Sequence, residues 1–150
     1  MTVNSVTPNL MVEDLSATVD WYERVLDAEV VATLPADGED PWWVQLAVDD
    51  GSLMFQERAS LTDKLPVLEE ASVGGSLALY VDVDDAAALQ EELSEAGVEM
   101  AQQLHETEFG WRQFAALDPN GYVLWFGEKL GEESQDIGRR QRALVRRFHS

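Results

Sequence analysis

The first half of the chain switches from an extended apolar pattern to helical spacing and back. The apolar residues 7–12 predict a strand. Apolar positions at helical spacing follow and predict a helix, with Asp14 as its N-cap. Those positions are Leu15, Val19, Tyr22 and Leu26. Three further strands are predicted at 29–34, 42–48 and 52–58, with an Asp-Asp-Gly turn before the last. The predicted order of the first half is therefore βαβββ.

The second half repeats this order. A strand at 76–81 precedes a helix that Asp84 or Asp85 caps and Gly97 ends, and strands follow at 98–104, 111–117 and 122–127. A shift of 69 residues superposes Val12 on Val81, Ala17 on Ala86, Glu23 on Glu92 and Asp49 on Asp118. The repetition predicts one α+β domain at 1–130 of two tandem βαβββ modules, at about 5–58 and 75–128, with a linker at 59–74.

Several short motifs within this duplicated pattern resemble those of a known superfamily. They are Thr7-Pro8-Asn9-Leu10-Met11-Val12-Glu13-Asp14-Leu15, Trp21-Tyr22, and the stretch from Phe114 to Tyr122 with its Asp-Pro-Asn-Gly turn. Over residues 5–128 the chain resembles the vicinal oxygen chelate superfamily of glyoxalases, bleomycin-resistance proteins and extradiol dioxygenases. The resemblance implies curved mixed sheets that line a cleft, with the helices outside, and it also implies a homodimer.

Charge is distributed unevenly between the body of the chain and its end. The formal net charge is −19, from 29 acidic and 10 basic residues, and five of the ten bases are arginines at 139–147. Because the acidic residues are scattered, they predict a solvated acidic surface, as in a salt-rich cytoplasm. The alternative is a surface that attracts cationic ligands. Either surface would repel nucleic acid. Residues 131–150 are predicted to form an arginine-rich helix with one apolar stripe, made by Ile137, Gln141, Leu144 and Phe148.

Composition also limits the cellular setting and the available chemistry. The chain has no cysteine, which excludes disulfides, a thiol nucleophile and a thiolate zinc site. No apolar run reaches the roughly 18 residues that a membrane span needs, and the first residues lack a signal-peptide pattern. We therefore expect a cytoplasmic protein with no membrane partner.

The metal site of the superfamily has no obvious counterpart in this sequence. The resemblance implies ligands from the first and last strands of each module, which correspond here to Thr7, Ser76, Trp125 and either Met54 or Gln56. Tryptophan offers no lone pair to a metal, and Gln56 alone cannot hold one. His105 is predicted to lie in a loop and His149 in the tail. We expect no metal and no other cofactor, and no catalytic residue is identifiable.

Strand alternation predicts which side chains face the cleft instead. Apart from the apolar Met54 and the charged Arg112, the expected ligand-binding residues are polar or aromatic, and the set suits a small aromatic or amphipathic molecule. They are Thr7, Asn9, Trp43, Gln45, Met54, Gln56, Ser76, Tyr80, Arg112 and Trp125. In the strand of the second half that matches 42–48, Arg112 and Phe114 take the phase of Trp43 and Gln45, which leaves Trp111 and Gln113 on the other face. The same aromatic residues would also suit a filled core between two small modules.

Three functions are consistent with this sequence. The favoured one is metal-independent binding of a small organic molecule, in the manner that the resemblance to bleomycin-resistance proteins implies. The second is an enzyme of the same superfamily, a lyase, isomerase or dioxygenase with an atypical metal site around Gln56 and Glu57. The third is a non-catalytic oligomerisation module.

Overall fold

The computed structural model describes residues 1–37 and 39–131. They divide into two compact units, the first being Met1–Gly75 with Pro119–Gly121, and the second being Ser76–Asp118 with the residues from Tyr122 onward. The predicted tail helix at 131–150 lies almost wholly outside the described residues. Within the described ranges, no helix is both long enough and apolar enough to cross a bilayer.

The first unit confirms the predicted βαβββ order. Its elements are β1 (Asn9–Val12), α1 (Leu15–Leu26), β2 (Glu29–Leu34), β3 (Trp43–Val48), β4 (Gly51–Glu57) and α2 (Arg58–Lys64), followed by a 3₁₀ turn at Pro66–Leu68. The strands form one mixed sheet in the order β1-β4-β3-β2, with β1 and β4 parallel. The helix α2 and the 3₁₀ turn lie in the stretch predicted to be only a linker.

The second unit has the same arrangement. Its elements are β5 (Ala78–Asp82), α3 (Ala86–Glu95), β6 (Met100–Glu106), β7 (Trp111–Leu117) and β8 (Val123–Lys129). The sheet order is β5-β8-β7-β6, with β5 and β8 parallel. Two four-stranded mixed sheets, each with a helix that follows its first strand, confirm the α+β class and the two βαβββ modules.

Local sequence accounts for the start of each long helix. The carboxylate of Asp14 accepts a hydrogen bond from the Ala17 amide at 3.0 Å, and Asp85 accepts one from Ala88 at the same distance. Each thereby satisfies one of the amide groups that a helix N-terminus leaves unpaired. Between the two predicted caps for the second helix, the structure therefore selects Asp85 rather than Asp84.

Each helix covers one face of its own sheet. In the first unit, Tyr22 of α1 packs against Phe55 of β4 with ring centroids 4.8 Å apart, and both side chains are fully buried. In the second, Phe114 and Phe126 stack at 5.0 Å beneath α3, whose Ala86 and Leu93 are also buried. The helices therefore bury the apolar face of each sheet. The exposed polar and aromatic side chains lie on the opposite face.

The two modules differ in the length of their last hairpin, and this difference moves β7 out of the predicted phase. In the first unit Val48 pairs with Gly51 across a two-residue loop, whereas in the second Leu117 pairs with Val123 across the five residues 118–122. Three additional residues are an odd number, so every side chain of β7 points to the face opposite the one predicted from β3.

Candidate functional site

The open face of the second sheet presents a cluster of aromatic side chains. Cross-strand partners share a face, and the register pairs Tyr80 of β5 with Trp125 of β8, which in turn pairs with Ala115 of β7. Alternation along β7 then places Trp111 and Gln113 on this same face. His105 joins them from β6, where it pairs with Gln113.

This face forms one wall of an open pocket of about 720 Å³ within the second unit. Its lining is mainly aromatic with hydrogen-bonding groups between the rings, and it contains one carboxylate. The lining residues are Tyr80, His105, Thr107, Glu108, Phe109, Trp111 and Gln113. The volume lies within the range of small-molecule sites in proteins.

The rings of this face meet edge to face. Tyr80 and Trp111 have centroids 5.9 Å apart with planes at 88°, and His105 lies 6.3 Å from Trp125 at 74°. Edge-to-face contacts of this kind are favourable for aromatic pairs. They also leave ring faces available to a planar molecule, because over half of the Tyr80 surface remains exposed, at 53%. Trp125 stands beside the pocket rather than within its lining.

The loop between β6 and β7 shapes the other side of the pocket. The Thr107 hydroxyl accepts hydrogen bonds from the Phe109 amide at 3.3 Å and the Trp111 amide at 3.2 Å. The Thr107 amide itself donates to the Trp111 carbonyl at 2.7 Å, which closes the loop. A tightly bonded loop therefore holds Phe109 at the surface, where 42% of its area is exposed.

Tyr80 and Lys129 contribute to the electrostatics of the pocket, beside the carboxylate of Glu108. Partial burial raises the pKa of the Tyr80 phenol above its ordinary value, and the nearby Asp82 carboxylate raises it further. Tyr80 is thus a hydrogen-bond donor at neutral pH. The Lys129 ammonium lies 5.4 Å from the centroid of the Trp111 ring, where the ring attracts a cation.

The first unit carries the other predicted side chains on one sheet face. The register places Asn9, Met54 and Gln45 in one row across β1, β4 and β3, and Gln56 and Trp43 in the next row. This confirms the predicted phase of the three strands. Thr7 and Ser76 each lie two residues before the strand that was predicted to contain them. Pro8, which has no amide hydrogen, follows Thr7, and two glycines with positive φ precede Ser76.

Two sequence predictions about the second sheet were wrong. Arg112 shares the face of Phe114, on the α3 side, where it pairs with Glu106 at 3.2 Å. Its predicted position facing the ligand came from β3 and failed with the longer hairpin loop. His105 belongs to β6 rather than to a loop, because register shifts after Met100 and Gln102 extend that strand to Glu106.

Gln56, which stands at one of the superfamily's metal positions, is held by two hydrogen bonds. The Gln56 carbonyl oxygen accepts a hydrogen bond from the Asn9 amide at 2.9 Å, and its own amide donates to the Ser60 hydroxyl at 2.8 Å. Gln56 is buried, and Glu57 follows it in β4 with its side chain on the opposite face. Across 1–37 and 39–131, no three His, Cys, Asp or Glu residues cluster as metal ligands would. This donor set does not fit a catalytic divalent ion.

Comparison with known proteins decides the family. Residues 2–126 match the model of the Glyoxalase/Bleomycin resistance protein/Dioxygenase superfamily. The chain belongs to this superfamily. An uncharacterized protein of Mycobacterium bovis is 21% identical over 133 residues, which cover 88% of each chain. Membership confirms the resemblance inferred from the Asp14 and Asp-Pro-Asn-Gly motifs.

Solved superfamily structures share the fold. TioX from Micromonospora sp. ML1 aligns with a TM-score of 0.64 and 22% identity, over 85% of this chain and all of TioX, at 100%. A glyoxalase/bleomycin resistance protein/dioxygenase family enzyme from Burkholderia phytofirmans PsJN gives 0.70 and 20%, over 83% of this chain and 97% of that one. These TM-scores establish the glyoxalase-type fold. Because the sequence identities are low, the activity has to be argued from the site.

Proposed function

We propose that this protein binds a small aromatic or amphipathic molecule, without a metal ion, in the pocket on the open face of its second sheet. The aromatic lining of that pocket carries the proposal. Trp111, Phe109 and Tyr80 surround a space of suitable volume, and Tyr80 and Phe109 are exposed although they are large and apolar. Exposed apolar patches rimmed by polar groups are typical of ligand sites.

The polar groups of the pocket support recognition rather than chemistry. Gln113, His105 and Thr107 offer hydrogen bonds between the rings, but Thr107 already accepts two from its own loop. The His105 Nδ1 lies 3.0 Å from the Gln103 carbonyl oxygen. An imidazole whose Nδ1 lies beside a backbone carbonyl has its other nitrogen left for an orienting hydrogen bond.

The enzyme alternative around Gln56 receives less support. A metal-bound Gln56 would have to exchange the hydrogen bond from Asn9 for a metal bond, in a buried position. The other positions that the superfamily uses hold Thr7, Ser76 and Trp125. Binding by stacking and hydrogen bonds requires none of these changes.

The test is a titration of 2-naphthol into the chelator-treated protein, followed by tryptophan fluorescence. We expect saturable quenching with one equivalent bound per chain, and we expect the same affinity after zinc or manganese is added back. Trp111→Ala should weaken binding by roughly three- to tenfold, through the loss of one stacking partner. Quenching that fails to saturate, or that appears only with added metal, would refute the proposal.

A further inference from the structure

The Tyr80 hydroxyl rests on a position of β8 that has no side chain. A Cβ atom at Gly127 would overlap that hydroxyl and would lie 2.7 Å from the Tyr80 Cζ atom, well inside normal contact. Gly127 is itself buried, and the phenol lies across it. The absence of a side chain at Gly127 therefore provides the space that the Tyr80 hydroxyl occupies.

Gln113 is the second neighbour of that hydroxyl. Gly127 pairs with Gln113 across β7 and β8, which puts the carboxamide beside the seated phenol. The Tyr80 hydroxyl lies 3.4 Å from the Gln113 Oε1 atom. This distance exceeds the roughly 2.5 to 3.0 Å of a strong O–H···O hydrogen bond. The phenol is thus held in place while its proton remains available to a better acceptor.

We propose that Gly127 and Gln113 position the Tyr80 hydroxyl as the specificity-determining group of the pocket, which thereby prefers planar lactams over hydrocarbons of equal size. This inference rests on the proposed function of the same pocket. A lactam carries a carbonyl that accepts from the phenol and an adjacent N–H that donates to the Gln113 oxygen. The two protein groups offer this complementary pair on one sheet face, beside the Trp111 ring.

Charge favours a neutral acceptor over a carboxylate. The chain carries a formal charge of −19, and Glu108 lies in the pocket lining. An anionic ligand of the same shape would be repelled by this negative charge, which the single Lys129 ammonium near the Trp111 ring offsets only in part. The inferred class is therefore a neutral bicyclic lactam rather than an aromatic acid.

Three probes of similar size separate these possibilities: quinolin-2(1H)-one, naphthalene and 2-naphthoate. The wild-type protein should bind the quinolinone roughly three- to tenfold more tightly than naphthalene, and 2-naphthoate most weakly. Tyr80→Phe should remove the preference for the quinolinone, so that the quinolinone and naphthalene bind with similar affinity. Gly127→Ala should do the same, because its methyl group displaces the phenol toward solvent.

Gly51→Ala is the matched control, since Gly51 also lies in a strand but no side chain rests over it. It should keep the wild-type preference. Equal binding of quinolinone and naphthalene, or a preference that survives Tyr80→Phe, would overturn the inference and leave aromatic binding intact. Failure of all three probes to bind would instead overturn the proposed function and this inference with it. Tyr80→Phe alone decides the question if Gly127→Ala does not fold.

Discussion

The Trp111 indole and the Tyr80 phenol meet edge to face on the open side of the second sheet, with ring centroids 5.9 Å apart. The register of β5, β8 and β7 places these rings together, and Phe109 reaches the same pocket from the loop before β7. The helix-covered face of the same sheet carries the core, and we propose the open face as the ligand site.

Ligand binding and folding should therefore depend on different aromatic residues. Phe109→Ala should weaken 2-naphthol binding severalfold but change the free energy of unfolding by less than about 0.5 kcal/mol, because Phe109 is exposed. Phe126→Ala should lower the free energy of unfolding by about 3 to 5 kcal/mol through a cavity beside Phe114. Urea denaturation and fluorescence titration of both variants check this. Large destabilisation by Phe109→Ala would show that the loop belongs to the core.

The hydrogen-bonded Gln56 predicts a second stability effect, in the first unit. Gln56→Ala should lower the free energy of unfolding by about 1 to 3 kcal/mol, because the two hydrogen bonds that the buried Gln56 side chain makes with Asn9 and Ser60 are lost. The control is Gln45→Ala, which removes a half-buried amide that bonds Ser52 on the same face. Urea denaturation should rank Gln56→Ala as the more damaging change. The reverse order would show that the Gln56 network contributes little.

Metal content is a separate expectation. The Gln56 side chain is already hydrogen-bonded to Asn9 and Ser60. We therefore expect elemental analysis of the purified protein to find far less than one equivalent of zinc, nickel, iron or manganese per chain. Added metal should not raise the melting temperature. Metal near one equivalent that disappears in Gln56→Ala would contradict this and restore the enzyme alternative.

The Tyr80 phenol predicts a pH dependence on the alkaline side. Its pKa is raised above 10.0 in the folded protein, so the folded state holds this proton more tightly than the unfolded state does. The associated stability is fully present below pH 10 and is lost as the pH rises through the folded pKa. Absorbance titration at about 295 nm should show a late-ionising phenol that is missing in Tyr80→Phe. A Tyr80 contribution centred at or below 10.0 would contradict this.

Much of the fold was predictable because each element has a local cause. The helices begin behind Asp14 and Asp85, and strands β2 and β7 have the predicted bounds, at Glu29–Leu34 and Trp111–Leu117. The helix Arg58–Lys64 was missed because it is seven residues long, and an apolar stripe does not show at that length. Only the buried Leu61 anchors it as a core residue.

The facing of strand side chains was predictable in the first sheet and only partly in the second. Asn9, Gln45 and Gln56 follow strand alternation directly, and so do Tyr80 and Trp125. Trp111 and Gln113 were assigned to the wrong face because the two halves were aligned by one shift, which ignores the longer loop at 118–122. The Asp-Pro-Asn-Gly motif covers only 118–121, and the structure adds Tyr122 to this loop, which makes its difference in length from the two-residue Asp49-Asp50 loop odd. The position of His105 within β6 could not be predicted, because the register shifts of that strand leave no pattern in the sequence.

The most direct test of aromatic binding in the second unit observes the tryptophan indoles by nuclear magnetic resonance. The chain has five tryptophans, of which Trp111 and Trp125 lie on β7 and β8, and Trp21, Trp42 and Trp43 lie in the first unit. During titration with 2-naphthol, we predict saturable shifts of the Trp111 and Trp125 indole N–H resonances, while that of the buried Trp21 stays fixed. Indole resonances of Trp111 and Trp125 that remain unchanged at saturating 2-naphthol would contradict the proposed binding site.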